Sequence, residues 1–333
     1  MSPGPAVSRG KTVFFPADVP KVDRPRARGI THVLDRLQNL APSELEYLAP
    51  YFDVAKIGWG LPLLLPRDRI RERIRLYHNV SVEVSTGGTL LEYAVVHDRV
   101  REMVAEARDL GFDIVEVSSG IIELSQLQIT HLVETVRQAG LDVYVEVGKK
   151  DVQHQLSLKE TNTQIGHARA LKPRQVIIES RESGRGVGIY DSDGAIKWDW
   201  VRSILGEHPA DELIFEAPLE FQQVQLLREL GAEVNLGNVA LSSVAPLASE
   251  RVGLRGETFG TIHHARVIRG PPAAKFLYFL LETYRGLDQT QLAHMSRLPR
   301  RTVQSALESL RRQGLVQETI SLQDSRRREY RLT

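Results

Sequence analysis

Four glutamates recur at one place in a repeating pattern. Asp113-Ile-Val-Glu116, Val143-Tyr-Val-Glu146, Val176-Ile-Ile-Glu179 and Leu213-Ile-Phe-Glu216 each finish a short apolar run with a carboxylate, and Val82-Glu83 and Val234-Asn235 vary the theme. Runs of this length and composition read as buried strands, so carboxylates at their ends would converge. Carboxylates crowded into one small volume repel each other unless a cation or basic side chains sit among them. A single Glu of this kind would be read as a helix cap or the partner of a loop arginine. Four at equivalent positions favour a site.

The basic counterpart is present. Lys56 ends an apolar run in Val54-Ala-Lys-Ile-Gly-Trp-Gly60, and Lys149 and Lys150 follow Glu146. Arg181 and Arg185 lie in Glu179-Ser-Arg-Glu-Ser-Gly-Arg-Gly-Val-Gly188, and Arg255 in Gly253-Leu-Arg-Gly-Glu257. A lysine inside an apolar run is costly to bury, so Lys56 needs a carboxylate partner or a catalytic task. Glycine-rich loops with arginines can turn backbone N–H groups and guanidinium forks onto phosphate or sulfonate oxygens. That makes Ser183, Gly184 and the Thr86-Gly-Gly-Thr89 loop, with Gly87 and Gly88, candidate anion contacts. Either loop alone is a weak signal, since glycine after a strand is most often a turn.

Other chemistries are disfavoured or excluded. The chain has no cysteine, which removes disulfides, thiolate nucleophiles and Cys-ligated clusters. His263 and His264 are adjacent, and His32, His97, His131, His154 and His167 show no metal-ligand spacing. Neither a Gly-x-Ser-x-Gly elbow nor a Gly-x-x-x-x-Gly-Lys-Ser/Thr loop occurs.

Positioning such a constellation takes a regular scaffold. Strand candidates are residues 29–35, 52–58, 80–85, 113–118, 142–148, 175–180, 212–217 and 233–236, separated by amphipathic stretches such as 93–110, 123–139 and 221–230. Gly111, Gly140 and Gly231 then stand at helix C-caps. Eight βα units at about 30 residues each predict an α/β fold, a (β/α)8 TIM barrel whose active-site face is the C-terminal end of the strands. A doubly wound open sheet is the runner-up, but Thr31 to Arg36 offers no glycine for a nucleotide turn. The 333 residues, 42% hydrophobic and 26% charged, suit a soluble chain with one large core and a small second domain. Residues 1–20 hold no apolar segment of signal-peptide length, so a cytoplasmic protein that does not enter membranes is expected.

The C-terminal end differs in charge. Residues 273–333 carry 11 Lys and Arg against 6 Asp and Glu, a net +5 that leaves −4 for the rest. The expected division is an N-terminal extension 1–24, a barrel 25–270 and a small domain 273–333, with Pro271-Pro272 at the boundary. Helices 274–284, 290–295 and 299–313 followed by strands 314–320 and 329–332 give the order of a winged helix-turn-helix, which this segment resembles. Arg300, Arg301, Thr302 and Gln304 would open the recognition helix, and Arg326, Arg327 and Arg328 would tip the wing, where duplex DNA is contacted. The competing reading is a dimerisation module with solvated arginines, consistent with an expected homo-oligomer.

From about Pro25 to Gly260 the chain resembles the phosphosulfolactate synthase family. The segments that carry the likeness are Lys56-Ile-Gly-Trp-Gly60, Gly87-Gly-Thr-Leu90, Glu116-Val-Ser-Ser-Gly120, Glu146-Val-Gly-Lys-Lys150, Ile178-Glu-Ser-Arg-Glu-Ser-Gly184, Phe215-Glu-Ala-Pro218, Asn235-Leu-Gly-Asn238 and Gly253-Leu-Arg-Gly-Glu-Thr-Phe-Gly260. The resemblance implies a barrel lyase that adds sulfite to phosphoenolpyruvate with Mg²⁺ or Mn²⁺. Glu116, Glu146, Glu179 and Glu216 would hold the metal, and Lys149, or alternatively Lys56, would protonate C2. Arg181, Arg185, Arg255, Gly87, Gly88, Ser183, Gly184 and Asn235 would bind substrate. Thr86, Ser119 and Ser180 depart from the family pattern, which usually has proline, aspartate and glycine there. A fused reader domain raises an alternative: a DNA-binding regulator whose barrel senses a phosphorylated or sulfonated metabolite without turning it over.

Overall fold

The structure is a computed structural model that describes residues 26–259, 270–284, 286–320 and 328–332. The chain folds as two compact units, Met1–His264 and Ala265–Thr333.

In the first unit eight parallel strands close into a barrel, each paired with the next and the last with the first. They are β1 Thr31–Leu34, β2 Val54–Lys56, β3 Glu83–Ser85, β4 Ile114–Val117, β5 Asp142–Val147, β6 Gln175–Ile178, β7 Leu213–Glu216 and β8 Leu236–Ala240. Its helices are α1 Pro42–Leu48, α2 Leu61–Leu64, α3 Arg67–His78, α4 Gly88–Val96, α5 Val100–Leu110, α6 Gln126–Gln138, α7 Leu158–Ala170, α8 Trp198–Glu207, α9 Glu220–Leu230 and α10 Val244–Arg251. Local chemistry marks their ends. Ser125 with Gln128 and Ser157 with Glu160 form reciprocal capping boxes on α6 and α7, and Gly111 ends α5 at a φ of 101°.

Side chains alternate across each strand. Outward residues such as Val33, Ala55, Val84, Val115, Val145, Ile178 and Phe215 join the helices in one large core. Inward residues Ile30, Val54, Ile114, Tyr144, Ile177 and Ile214 form a separate buried cluster, the lower layer of the interior. The join between β3 and β4 is the thinnest, a single paired position, Ser85 with Ile114.

Two expectations are corrected. The stretch 93–110 is two helices, because Asp98 adopts φ 53° between α4 and α5. The eighth strand runs from Leu236 to Ala240 rather than 233–236. Asn235 precedes it and adds side-chain bonds to the backbone ones there: Oδ1 accepts from the Ile30 N–H at 3.0 Å, and Nδ2 donates to the Leu213 carbonyl at 3.0 Å. Gly237 and Asn238, the latter at φ 51°, are poor strand formers that hid the true strand.

The second unit contains α11 Pro272–Tyr284, β9 Leu287–Asp288, α12 Gln289–Ser296, α13 Arg300–Arg312, β10 Val316–Ile320 and β11 Arg328–Leu332. Its strands form an antiparallel sheet in the order β10-β11-β9. Leu277, Leu281, Leu292, Val303, Leu307 and Leu310 pack its core, so α13 buries one face and leaves Arg300, Arg301 and Gln304 exposed on the other. Asp288 caps α12 in a box with Gln291. The two-residue β9 was not expected from the sequence. Among the described residues no helix is long and apolar enough to cross a membrane.

Candidate active site

Two residues above the lower layer, the barrel interior turns ionic. Lys56 ends β2 with its ammonium 2.9 Å from Glu216 Oε1, 3.2 Å from Glu116 Oε2 and 3.4 Å from Glu146 Oε1. Glu179 stands one residue beyond β6, and Lys150 Nζ lies 3.4 Å from its Oε2 and 3.7 Å from Glu146 Oε2. All four carboxylates are buried. With every group ionised they outnumber the two lysines by two charges.

Burial and that imbalance together set the protonation of the cluster. Burial works against the Glu116 carboxylate, but Lys56 and His32 outweigh it and hold the group well below the usual range. Burial, with Glu179 and Glu116 nearby, pushes Glu146 up despite Lys150 and Lys56. Burial and the neighbouring Glu216 push Glu179 up to about 7. Burial would lower Lys56, yet the surrounding glutamates raise it, so its ammonium stays charged. Beneath it Ser85 Oγ donates to Glu116 Oε1 at 2.7 Å, and His32 Nε2 lies 3.0 Å from Ser85 Oγ.

Above the cluster opens a cavity of about 280 Å³ lined by Lys56, Glu146, Lys150, Glu179, Arg181, Glu216 and Asn238, with Trp59 and Ile121 at its walls. Trp59 Nε1 donates to Glu182 Oε1, joining the loops after β2 and β6. The N-terminus of α4 forms another wall through Gly87, Gly88 and Thr89, and Lys150 Nζ donates to Thr89 Oγ1 at 3.2 Å. Gly88 packs so closely that a Cβ there would meet Ser118 Oγ at 2.5 Å and Glu146 Oε2 at 2.6 Å. A side chain would therefore fill the corner where helix N–H groups, an anion-favouring end, face a lysine.

The expected residues divide. Lys56, Glu146, Glu179, Glu216, Arg181, Gly87 and Gly88 line the cavity. Glu116 sits below it under Lys56. Lys149 does not reach it: Nζ donates to the Ser119 carbonyl at 2.9 Å and pairs with Glu123 at 2.8 Å, because the chain turns it outward beside its neighbour. Arg255 pairs with Glu250 at 3.1 Å. Asn235 is spent at the opposite end of the barrel, where the strands begin. Ser183 and Arg185 are exposed on the loop after β6, and Gly184 is buried with its carbonyl accepting from Gln222 Nε2 at 2.8 Å, so none of the three lines the cavity. Lys150 is the functional residue that the sequence expectations miss. Strand parity points to it, since counting by two from Glu146 reaches Lys150 and passes over Lys149.

Of the departures from the family pattern, Ser180 donates its N–H to Glu216 Oε2 at 2.9 Å, Ser119 offers its carbonyl to Lys149, and Thr86 is buried. Among the described residues no three His, Asp or Glu side chains form a ready-made metal cage. Yet Glu146 Oε2 and Asn238 Oδ1 are buried without a hydrogen-bond donor. In the second unit, Arg300, Arg301 and Thr302 open α13, Gln304 Nε2 donates to Glu308 at 3.3 Å, and Arg328 pairs with Glu318. Arg326 and Arg327 lie outside the described residues.

Comparison with known proteins accords with this geometry. Residues 20–257 match the (2R)-phospho-3-sulfolactate synthase (ComA) family. The chain is 37% identical over 249 residues to the phosphosulfolactate synthase of Methanothermobacter thermautotrophicus, covering 73% of this chain and 96% of that protein. It is 36% identical over 241 residues to that of Methanocaldococcus jannaschii, covering 71% and 95%, and 29% identical over 251 residues to that of Bacillus subtilis, covering 74% and 98%. The chain, through its barrel, belongs to the phosphosulfolactate synthase family of enzymes.

Proposed function

We propose that the barrel adds sulfite to phosphoenolpyruvate to give phosphosulfolactate. The observation that carries this reading is the pair of lysines among four buried carboxylates beneath a small cavity with an anion-favouring helix end. In the addition the sulfur lone pair forms a bond to C3. The C2–C3 π electrons move onto the carboxylate, and a proton then reaches C2 while the phosphate ester stays intact. The α4 N-terminus, Thr89 and Arg181 would hold the phosphate. Lys150, at the cavity and less enclosed than Lys56, would deliver the proton to C2. Lys56 would keep Glu116 ionised and hold Glu146 and Glu216 in place.

A divalent cation suits the excess negative charge and the undonated Glu146 oxygen, since Mg²⁺ is commonly held by one or two carboxylates, water and substrate oxygens. Glu146 and Glu179 would hold it, with Asn238 Oδ1 nearby. When bound it would neutralise charge developing on the substrate carboxylate. The test is incubation of purified protein with phosphoenolpyruvate, sulfite and Mg²⁺, followed by phosphorus NMR. A new phosphate-ester resonance that requires sulfite supports the reading, and unchanged phosphoenolpyruvate sinks it.

A second reading concerns the small unit. Three helices, a three-stranded sheet and exposed Arg300 and Arg301 at the start of α13 favour a winged helix that contacts duplex DNA, and with it a regulator whose barrel senses its ligand. Affinity for DNA by fluorescence anisotropy should then fall steeply between roughly 50 and 200 mM salt, as counterion release requires. A flat response would favour a dimerisation module.

A further inference from the structure

Glu92 is a buried carboxylate of α4 that the reaction above does not use, and no lysine or arginine is among its hydrogen-bond partners. Ser118 Oγ donates to its Oε1, the Gly120 N–H donates to the same oxygen at 3.2 Å, and the Ile121 and Ile122 N–H groups donate to Oε2 at 2.8 and 2.9 Å. Successive N–H groups converging on an anion form a nest, here filled by the protein's own side chain. A carboxylate this deeply buried is tolerated only when fully hydrogen-bonded.

The nest is coupled to the cavity in three ways. Gly120 accepts the Lys150 N–H at 2.9 Å, and the Lys150 side chain packs where a Gly120 Cβ would stand, 3.2 Å from its Cγ. Ile121 is part of the cavity wall. Ser118 lies against Gly88 at the start of α4.

We propose that Glu92 is a positioning residue for the anion corner: by folding the 118–122 loop onto α4, it fixes Lys150 over Thr89 and the helix N-terminus. The ligand it serves is the phosphate of the substrate, so the proposal rests on the functional reading above. Glu92→Gln keeps the volume but places an N–H₂ group against donors, which loosens the loop without emptying the core.

The test combines ligand affinity with backbone exchange. Glu92→Gln should weaken phosphoenolpyruvate binding, measured by calorimetry, about 10-fold, a loss typical of a charge-assisted network, with a near-parental melting temperature. In a Lys150→Ala background the same change should add little, because both act on one corner. Additive losses, or unchanged affinity, would overturn the proposal. If the parent bound no phosphoenolpyruvate, the functional reading would fail on its own. Glu92 is then judged by hydrogen exchange: the Gly120, Ile121, Ile122 and Lys150 amides should exchange faster in Glu92→Gln, and unchanged rates there overturn the coupling.

Discussion

On β4 the lower interior residue is Ile114 and the next one up is Glu116; on β5 the pair is Tyr144 and Glu146, on β7 Ile214 and Glu216, on β2 Val54 and Lys56. From β6 into the loop that follows, Ile177 is succeeded in the same way by Glu179. The same strands thus build two layers of opposite character. Below, apolar side chains fill the barrel and gain stability from burial. Above, like charges are held together by two ammonium groups, an arrangement that favours chemistry over stability. Substitutions should therefore act differently in the two: the upper layer should respond to pH and carry turnover, and the lower layer should do neither.

The largest test removes the central cation. Lys56→Met leaves Glu116, Glu146 and Glu216 facing one another, and breaking a buried ion network costs about 3–5 kcal/mol. Urea unfolding should show that loss at pH 7 and a smaller one at pH 5, as the carboxylates take up protons. Equal stability at pH 7 would erase the electrostatic distinction between the layers.

Next, Lys150→Ala should slow turnover at least ~100-fold, the lower range for loss of an acid–base group. Lys149→Ala should keep a near-parental rate. A reversed order would return the proton-donor role to Lys149.

A smaller effect comes from Glu179. Its value of about 7 in the folded chain lies above the ordinary 4.5, so the folded state holds this proton more tightly. The stability this contributes is complete below about pH 4.5 and is lost as pH rises through 7. Glu179→Gln has no such proton, so between pH 5 and 8 the parent should lose on the order of 2 kcal/mol relative to the variant. Parallel pH curves would contradict the raised value.

The smallest effect belongs to the lower layer. Ile177→Val should cost about 1 kcal/mol of stability at every pH and leave turnover unchanged. A marked loss of activity would show that the layers are not separable.

Much of this division was legible in the sequence. Glutamates ending apolar runs, and Lys56 in the same place on β2, needed only strand periodicity. What escaped was set at longer range or by loop geometry. Arg255 looked available until Glu250 proved to be its partner. Asn235 looked free to bind substrate until its amide proved to bond the Ile30 N–H and the Leu213 carbonyl. Glu92 borders a stretch read simply as an amphipathic helix, and three of its four donors are backbone N–H groups that no residue type announces. The choice of Lys150 over Lys149, by contrast, was open to strand parity counted from Glu146.

The single paired position between β3 and β4 gives the polar layer a second task. Ser85 stands at that join, and its hydroxyl reaches across to Glu116 on the neighbouring strand. The thinnest part of the hoop is therefore clasped by the group that anchors Lys56. The join with the fewest paired positions is thus tied to the ionic cluster, so a ligand bound to that cluster should also slow exchange of the amides along β3 and β4.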